Sequence, residues 1–239
     1  LKEKKNWKIK ASFITRWEGK ARNQLTIPIS GACTFVIRKA ADGSVLKTDY
    51  HSSYFGAYTY TPTENGELLV EVKPDGVNSF RMADQYGRVQ GSAEALLRVE
   101  QFGTVKWQTM ENAFRGCTNL QFAEGIDAPD LSEVSNMKLM FDNCTSFNQD
   151  LGMWKLEKCE ELGLNNCGMS IENYSKSLEG WAAQANLKQG LSLSAKGLKY
   201  NANGRVARKL LKKNRNWHIS GDIDEIGRPF ITRWKGEAG

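Results

Sequence analysis

Trp107-Gln-Thr-Met110-Glu-Asn-Ala-Phe114-Arg-Gly-Cys117-Thr-Asn-Leu120 is followed by Val134-Ser-Asn-Met137-Lys-Leu-Met-Phe141-Asp-Asn-Cys144-Thr-Ser-Phe147. The same apolar residue types return in the same order. A shorter third copy ends Leu164-Asn-Asn-Cys167, so the central apolar position recurs after 27 and then 23 residues. Periods of 20–29 residues are those of stacked leucine-rich rungs, in which no unit buries its apolar face alone. Met, Phe and Cys fall at i, i+3, i+4 and i+7, the spacing of one helical face. The expectation is a rung made of one short helix or 3₁₀ turn plus one short strand.

Outward from this stretch the texture changes. Leu25-Thr-Ile27, Phe35-Val-Ile37, Tyr58-Thr-Tyr60 and Leu68-Leu-Val-Glu-Val72 alternate or cluster apolar residues as strands do, and Asp42-Gly43 is a hairpin turn signal before Val45. This region reads as a small all-β sandwich. On the other side, Ser170 followed by Glu172, Tyr174, Leu178 and Trp181 marks a capped amphipathic helix. Residues 187–193 read as a strand. Val206, Leu210 and Leu211 form the apolar face of a second helix, and Trp217-His-Ile219 a closing strand.

A longer repeat frames all of this. Leu1-Lys-Glu-Lys-Lys-Asn-Trp-Lys-Ile9 matches Leu211-Lys-Lys-Asn-Arg-Asn-Trp-His-Ile219, and Phe13-Ile-Thr-Arg-Trp-Glu-Gly-Lys-Ala21 matches Phe230-Ile-Thr-Arg-Trp-Lys-Gly-Glu-Ala238. Matches in the same order at both ends read as one period of a tandem array. The expected division is 1–9 as the tail of a preceding unit, 10–79 as an immunoglobulin-like or PKD-like β-sandwich, 80–221 as a leucine-rich-repeat module with its cap, and 222–239 as the head of the next unit. The fold class expected is α+β and multi-domain: a small immunoglobulin-like β-sandwich, then a short leucine-rich-repeat solenoid with a helical C-terminal cap. The β module is expected to dock directly on the first rung, since no Pro/Ser-rich linker separates them.

Composition narrows the chemistry. The chain has 239 residues, 40% hydrophobic and 25% charged, with 22 Gly and 5 Pro, which excludes collagen, low-complexity disorder and a disulfide-dense miniprotein. No apolar run approaches the roughly 20 residues that span a bilayer. Thirty-three basic and 27 acidic residues leave a net charge of +6, which permits nucleic-acid binding without demanding it. Two histidines are few for metal or acid–base chemistry.

No candidate catalytic, cofactor-binding or metal residue emerges, and no cofactor is expected. Cys117, Cys144 and Cys167 share one rung position and read as a ladder of small apolar residues in the stack. A bridge between rungs is the alternative in an oxidising location. Adjacent strands lie about 4.8 Å apart, but side chains pointing the same way disfavour the crossed disulfide dihedral, so free, buried thiols are expected. Cys159 has no paired ligand at zinc-site spacing, and Cys33 precedes a β-module strand with no evident partner. His218 stands where the other copy has Lys8, and His51 reads as part of a polar loop. Acids of the β module such as Asp42 or Asp75 are the alternative positions for calcium. The run Arg205, Arg208, Lys209, Lys212, Lys213 and Arg215 is either a phosphate-contacting stripe or the solvated face of the second helix. No aromatic residue interleaves with it, as single-strand binders need.

Gln101-Phe-Gly-Thr-Val-Lys-Trp107, Met110-Glu-Asn-Ala-Phe-Arg-Gly-Cys-Thr-Asn-Leu120, Met140-Phe-Asp-Asn-Cys-Thr-Ser-Phe-Asn-Gln-Asp-Leu151 and Ser194-Ala-Lys-Gly-Leu-Lys-Tyr200 resemble BspA-like leucine-rich-repeat surface proteins of bacteria. The likeness covers most of residues 80–222. It implies a non-catalytic, cell-surface or extracellular module, adhesin-like. The implied partners are host extracellular-matrix or cell-surface proteins or other bacterial surface molecules, with no nucleic acid and no membrane span. A structural spacer unit of a surface stalk, without its own ligand, is the alternative.

Overall fold

The computed structural model describes residues 11–52, 57–73, 76–84, 88–89 and 92–225. The tail 1–9, Asp75 and residues 226–239, including the repeated block at 230–238, lie outside them.

Alternating apolar residues build the first region. Its strands are β1 (Phe13–Gly19), β2 (Leu25–Ile27), β3 (Ile29–Gly31), β4 (Cys33–Lys39), β5 (Val45–His51), β6 (Tyr58–Tyr60), β7 (Gly66–Val72) and β8 (Val77–Phe80). Then come β9 (Leu96–Gln101), β10 (Gln121–Phe122), β11 (Asn136–Met137), β12 (Glu161–Gly163), α1 (Ile171–Ala182), β13 (Ser192–Ser194), β14 (Lys199–Tyr200), α2 (Ala202–Arg215), β15 (His218–Ser220) and β16 (Ile223–Asp224). The main sheet has six strands in the order β10-β9-β1-β7-β4-β5. Its register aligns Phe13, Val72 and Phe35 in one row and Thr15, Val70 and Ile37 in the next. All six are buried, because side chains two apart on a strand share a face.

The architecture differs from the expected one. Among the described residues, an immunoglobulin-like sandwich closed within residues 10–79 does not form. The main sheet is completed by β9 and β10 from beyond Phe80, and β2-β6 and β3-β8 are separate two-stranded pairs. Nor does a leucine-rich-repeat solenoid of strand-plus-helix rungs form. Both α-helices among the described residues lie between Ile171 and Arg215. Residues 109–168 are turns joined by strands of two or three residues. The protein is β-rich, with several small sheets.

The physical reason lies in the spacing itself. The N–H of Ala113 donates to Met110, that of Cys117 to Phe114 and that of Leu120 to Cys117, each three residues back. The second copy repeats this from Met140 to Met137, Cys144 to Phe141 and Phe147 to Cys144. A succession of single i→i+3 turns therefore reproduces the periodicity of a helix without being one. Left-handed residues break each succession: Asn112 and Gly116 in the first copy, Leu139 and Asn143 in the second. The series Gly116, Asn143, Asn166, Gly197 and Gly221, with φ of 75, 64, 54, 88 and 84°, marks the same turn in five successive layers.

Backbone bonds running from layer to layer hold the stack. Phe114 donates to Met140, Phe141 to Gly163, Leu164 to Ser194 and Ala195 to Ser220. Beside them, β11-β12-β13-β15 form a parallel four-stranded sheet. The predicted strand over 187–193 shrinks to Ser192–Ser194.

One apolar cluster runs from Phe13 to Ile219. The Phe13 ring meets Trp107 edge-on at 5.1 Å, which joins the six-stranded sheet to the stack. Phe114, Phe141 and Phe147 continue the line, with centroids 5.5 and 4.2 Å apart.

Candidate functional site

The parallel sheet leaves one face open. Leu162, Leu193 and Ile219 point inward and are buried, so their neighbours on each strand point outward. Register aligns Glu161, Ser192 and His218 in one row, and Gly163, Ser194 and Ser220 in the next. All of these but Gly163, with Lys138 at one edge and Lys212 of α2 at the other, line a shallow cavity of about 450 Å³. Lys138 Nζ lies 3.6 Å from the Glu161 carboxylate, and Asn165 Nδ2 donates to Ser194 Oγ at 3.3 Å.

The outward row holds an acid, a hydroxyl and an imidazole, but in the order Glu161, Ser192, His218. Nucleophilic catalysis needs the imidazole between the acid that orients it and the hydroxyl it deprotonates. Here Ser192 occupies the middle strand.

Next to this face, α2 displays the predicted basic run in two groups. Arg208 forms a two-pronged pair with Asp222, both contacts at 2.8 Å, and lies 5.4 Å over the Tyr200 ring. Asp222, whose side chain is fully buried, also accepts the Tyr174 hydroxyl at 3.0 Å. That pairing raises the Arg208 pKa, opposed by its own burial, while burial first and then Asp222 push the Tyr174 phenol well up. Arg205 pairs with Asp224 at 2.7 Å, and Arg215 donates to the carbonyls of Gln184 and Ala185. These three arginines tie α2 to the chain around it. Lys209, Lys212 and Lys213 are exposed, and no carboxylate lies within 4 Å of them among the described residues. A second cavity, about 490 Å³, lies along them.

The buried face of α2 matches the predicted one only at Leu211. Val206 is 61% and Leu210 43% exposed, whereas Gly204, Ala207 and Leu211 are buried. The cause is the close approach of α1. A Cβ at Gly204 would sit 2.7 Å from Ser175 Oγ, so only small residues fit where the helices cross. Beside Leu211, the legible signal was the small pair Gly204 and Ala207 rather than Val206 and Leu210. On α1, Ser170 caps as expected, its Oγ accepting the Asn173 N–H at 3.2 Å.

Cys117, Cys144, Cys159 and Cys167 are free and buried, and Cys33 is buried in β4. Cys144 Sγ donates to the Phe114 carbonyl at 2.9 Å. Burial pushes the Cys167 thiol up to about 11 and Cys159 up to about 12, and raises Cys117 and Cys144 as well, so thiolate is scarce at neutral pH. His51 ends β5 and does not sit in a loop; its ring lies edge-on to Phe35 and Tyr58. Asp42 Oδ1 accepts the Ser44 N–H within the β4–β5 turn. No cluster of three metal-ligating side chains occurs among the described residues, and no helix there is long and apolar enough to cross a membrane.

No curated protein and no solved structure matches the chain. Residues 82–194, the stretch from just after β8 through β13, match a family described as a Mycoplasma protein of unknown function, DUF285.

Proposed function

We propose that the chain is a non-catalytic, adhesin-like binding module of a bacterial cell-surface protein, engaging host matrix or cell-surface proteins or other bacterial surface molecules. One observation carries this reading: the open face of the parallel sheet, where outward side chains on consecutive strands line a shallow cavity. Shallow, open faces suit extended macromolecular partners better than small substrates, which need enclosed pockets. The similarity of residues 82–194 to a Mycoplasma family supports a bacterial setting. The framing sequence repeat supports a multi-unit parent, whose linked units raise effective concentration at a repetitive surface by roughly 10²–10⁴ without any new contact.

The second reading, a spacer in a surface stalk, draws on a different observation. Among the described residues, exposed large apolar side chains such as Val45, Tyr50, Val89 and Met153 are dispersed along the chain. Concentrated apolar patches are the usual mark of a protein interface.

The test compares one-unit and three-unit chains at equal unit concentration on immobilised matrix proteins and on whole cells. Weak retention of one unit and strong retention of three is expected. Absence of binding by both across a broad panel would leave the spacer reading.

A further inference from the structure

The two cavities beside α2 meet at a single side chain. Lys212 rims the cavity over the parallel sheet and also the cavity along the outer side of the helix. The exposed ammonium groups of Lys209, Lys212 and Lys213 therefore run on into the outward hydroxyls of Ser192, Ser194 and Ser220 and the imidazole of His218. Charge and hydroxyls form one strip.

What occupies such a strip follows from its chemistry. The three arginines of the helix are committed to Asp222, Asp224 and backbone carbonyls, whereas the three lysines have no counter-charge among the described residues. Part of the lysine charge suits the negative end of the helix dipole, but the dipole accounts neither for a cavity along the side of the helix nor for its continuation over the sheet. Lysine is a flexible point charge, suited to anions of varied geometry more than to one fixed phosphate. Nucleic acid bases need an exposed ring to stack on; Tyr200, the aromatic residue of the cavity, is 8% exposed and covered by the Arg208 guanidinium. A lipid surface needs a broad apolar face between the basic residues, and α2 offers only Val206 and Leu210. Sulfate or carboxylate groups on a chain rich in hydroxyls satisfy both halves of the strip: the anions meet lysines and the sugar hydroxyls meet serines.

We infer that the strip of Lys209, Lys212, Lys213, Ser192 and Ser220 binds an acidic polysaccharide, sulfated or uronic. This deepens the binding-module reading, on which it rests, by naming the ligand class for the same open face.

The experiment uses the full chain and immobilised heparin as probe, with affinity measured across a salt series. The triple variant Lys209→Gln, Lys212→Gln, Lys213→Gln is compared with Lys73→Gln, Lys106→Gln, Lys155→Gln, which removes equal charge from exposed lysines elsewhere. Each released counterion contributes about one unit to the slope of log affinity against log salt, so the first triple lowers the slope by roughly three and the second leaves it near wild type. Ser192→Ala with Ser220→Ala weakens binding without changing the slope. Circular dichroism and urea midpoints establish that every variant is folded. Equal losses in both triples overturn the proposal, since net charge alone would then account for retention. Wild-type binding to a DNA duplex or to phosphatidylserine vesicles as tight as to heparin overturns it too. Failure to bind heparin, while three-unit chains still bind cells, sinks the polysaccharide assignment and leaves the surface-binding reading standing.

Discussion

The six-stranded sheet and the stack share one apolar core but are built from opposite local rules. In the sheet, strands of six or seven residues carry most of the order: β1, β4, β5, β7 and β9 pair side by side, and period-two alternation decides which side chains face inward. In the stack, strands of two or three residues contribute little by themselves. Order there comes from tight turns, from left-handed residues such as Asn143 and Gly116, and from backbone bonds between layers. A sheet of long strands tolerates a local defect because many neighbouring pairs remain. A stack of turns has no such reserve, since each layer is held mainly by the next.

The largest expected effect tests whether this difference survives a shared core. Phe141 is fully buried between Phe114 and Phe147 and also touches Phe122 and Trp154. Phe141→Ala is expected to cost about 3–5 kcal/mol. Val70→Ala, at an equally buried position of the sheet, is expected to cost about 2 kcal/mol. Because Phe13 contacts Trp107 and β9 pairs with β1, both variants are expected to shift one common urea transition. Two separate transitions by fluorescence and circular dichroism, each moved by only one variant, would break the picture of a single core.

The same contrast explains what could be read from the residues. The strands at Leu25, Phe35, Val45 and Tyr58 and the Asp42-Gly43 hairpin were legible, because alternation and turn chemistry are local. That β9 and β10 would complete that sheet was not legible, because pairing between Arg16 and Arg98 spans most of the first region. In the stack the layers were legible through Phe114, Phe141 and Leu164, and so was the burial of Cys117, Cys144 and Cys167. Their secondary structure was misread, since successive three-residue turns carry the same apolar spacing as a helix. The open sheet face escaped sequence reading for another reason. Ser192, Ser194 and His218 are ordinary polar residues until register aligns them.

A smaller effect probes how closely the layers approach the helices. Gly180 of α1 lies against the Gly152 turn, and a Cβ added at Gly180 would sit 2.6 Å from the Gly152 Cα. The obstacle is backbone, so it cannot swing aside. Gly180→Ala is therefore expected to destabilise by about 1–3 kcal/mol, although alanine is intrinsically the better helix former by about 1 kcal/mol. A rise in melting temperature would show that propensity outweighs the contact and that the stack yields more readily than its turns imply.

The last prediction concerns the sheet alone, where its outer face carries charge. Glu100 of β9 accepts from Arg16 Nε at 2.5 Å and from Arg98 Nε at 2.8 Å, and its side chain is only 8% exposed. Burial pushes its carboxyl up, but the hydrogen bonds and charges of the two arginines outweigh it and hold the pKa below the ordinary value. A depressed carboxylate pKa stabilises the fold above the unfolded-state value, near 4.3, and that contribution disappears as pH falls through the lower folded-state value. Glu100→Gln keeps the shape and removes the charge, so it is expected to cost about 2 kcal/mol at pH 7. The difference between variant and wild type is expected to narrow only below about pH 4.3. Urea midpoints for both proteins from pH 7 to pH 3 measure it. A gap that stays constant over that range would mean that packing, not the ion pairs, is what Glu100 supplies to the sheet.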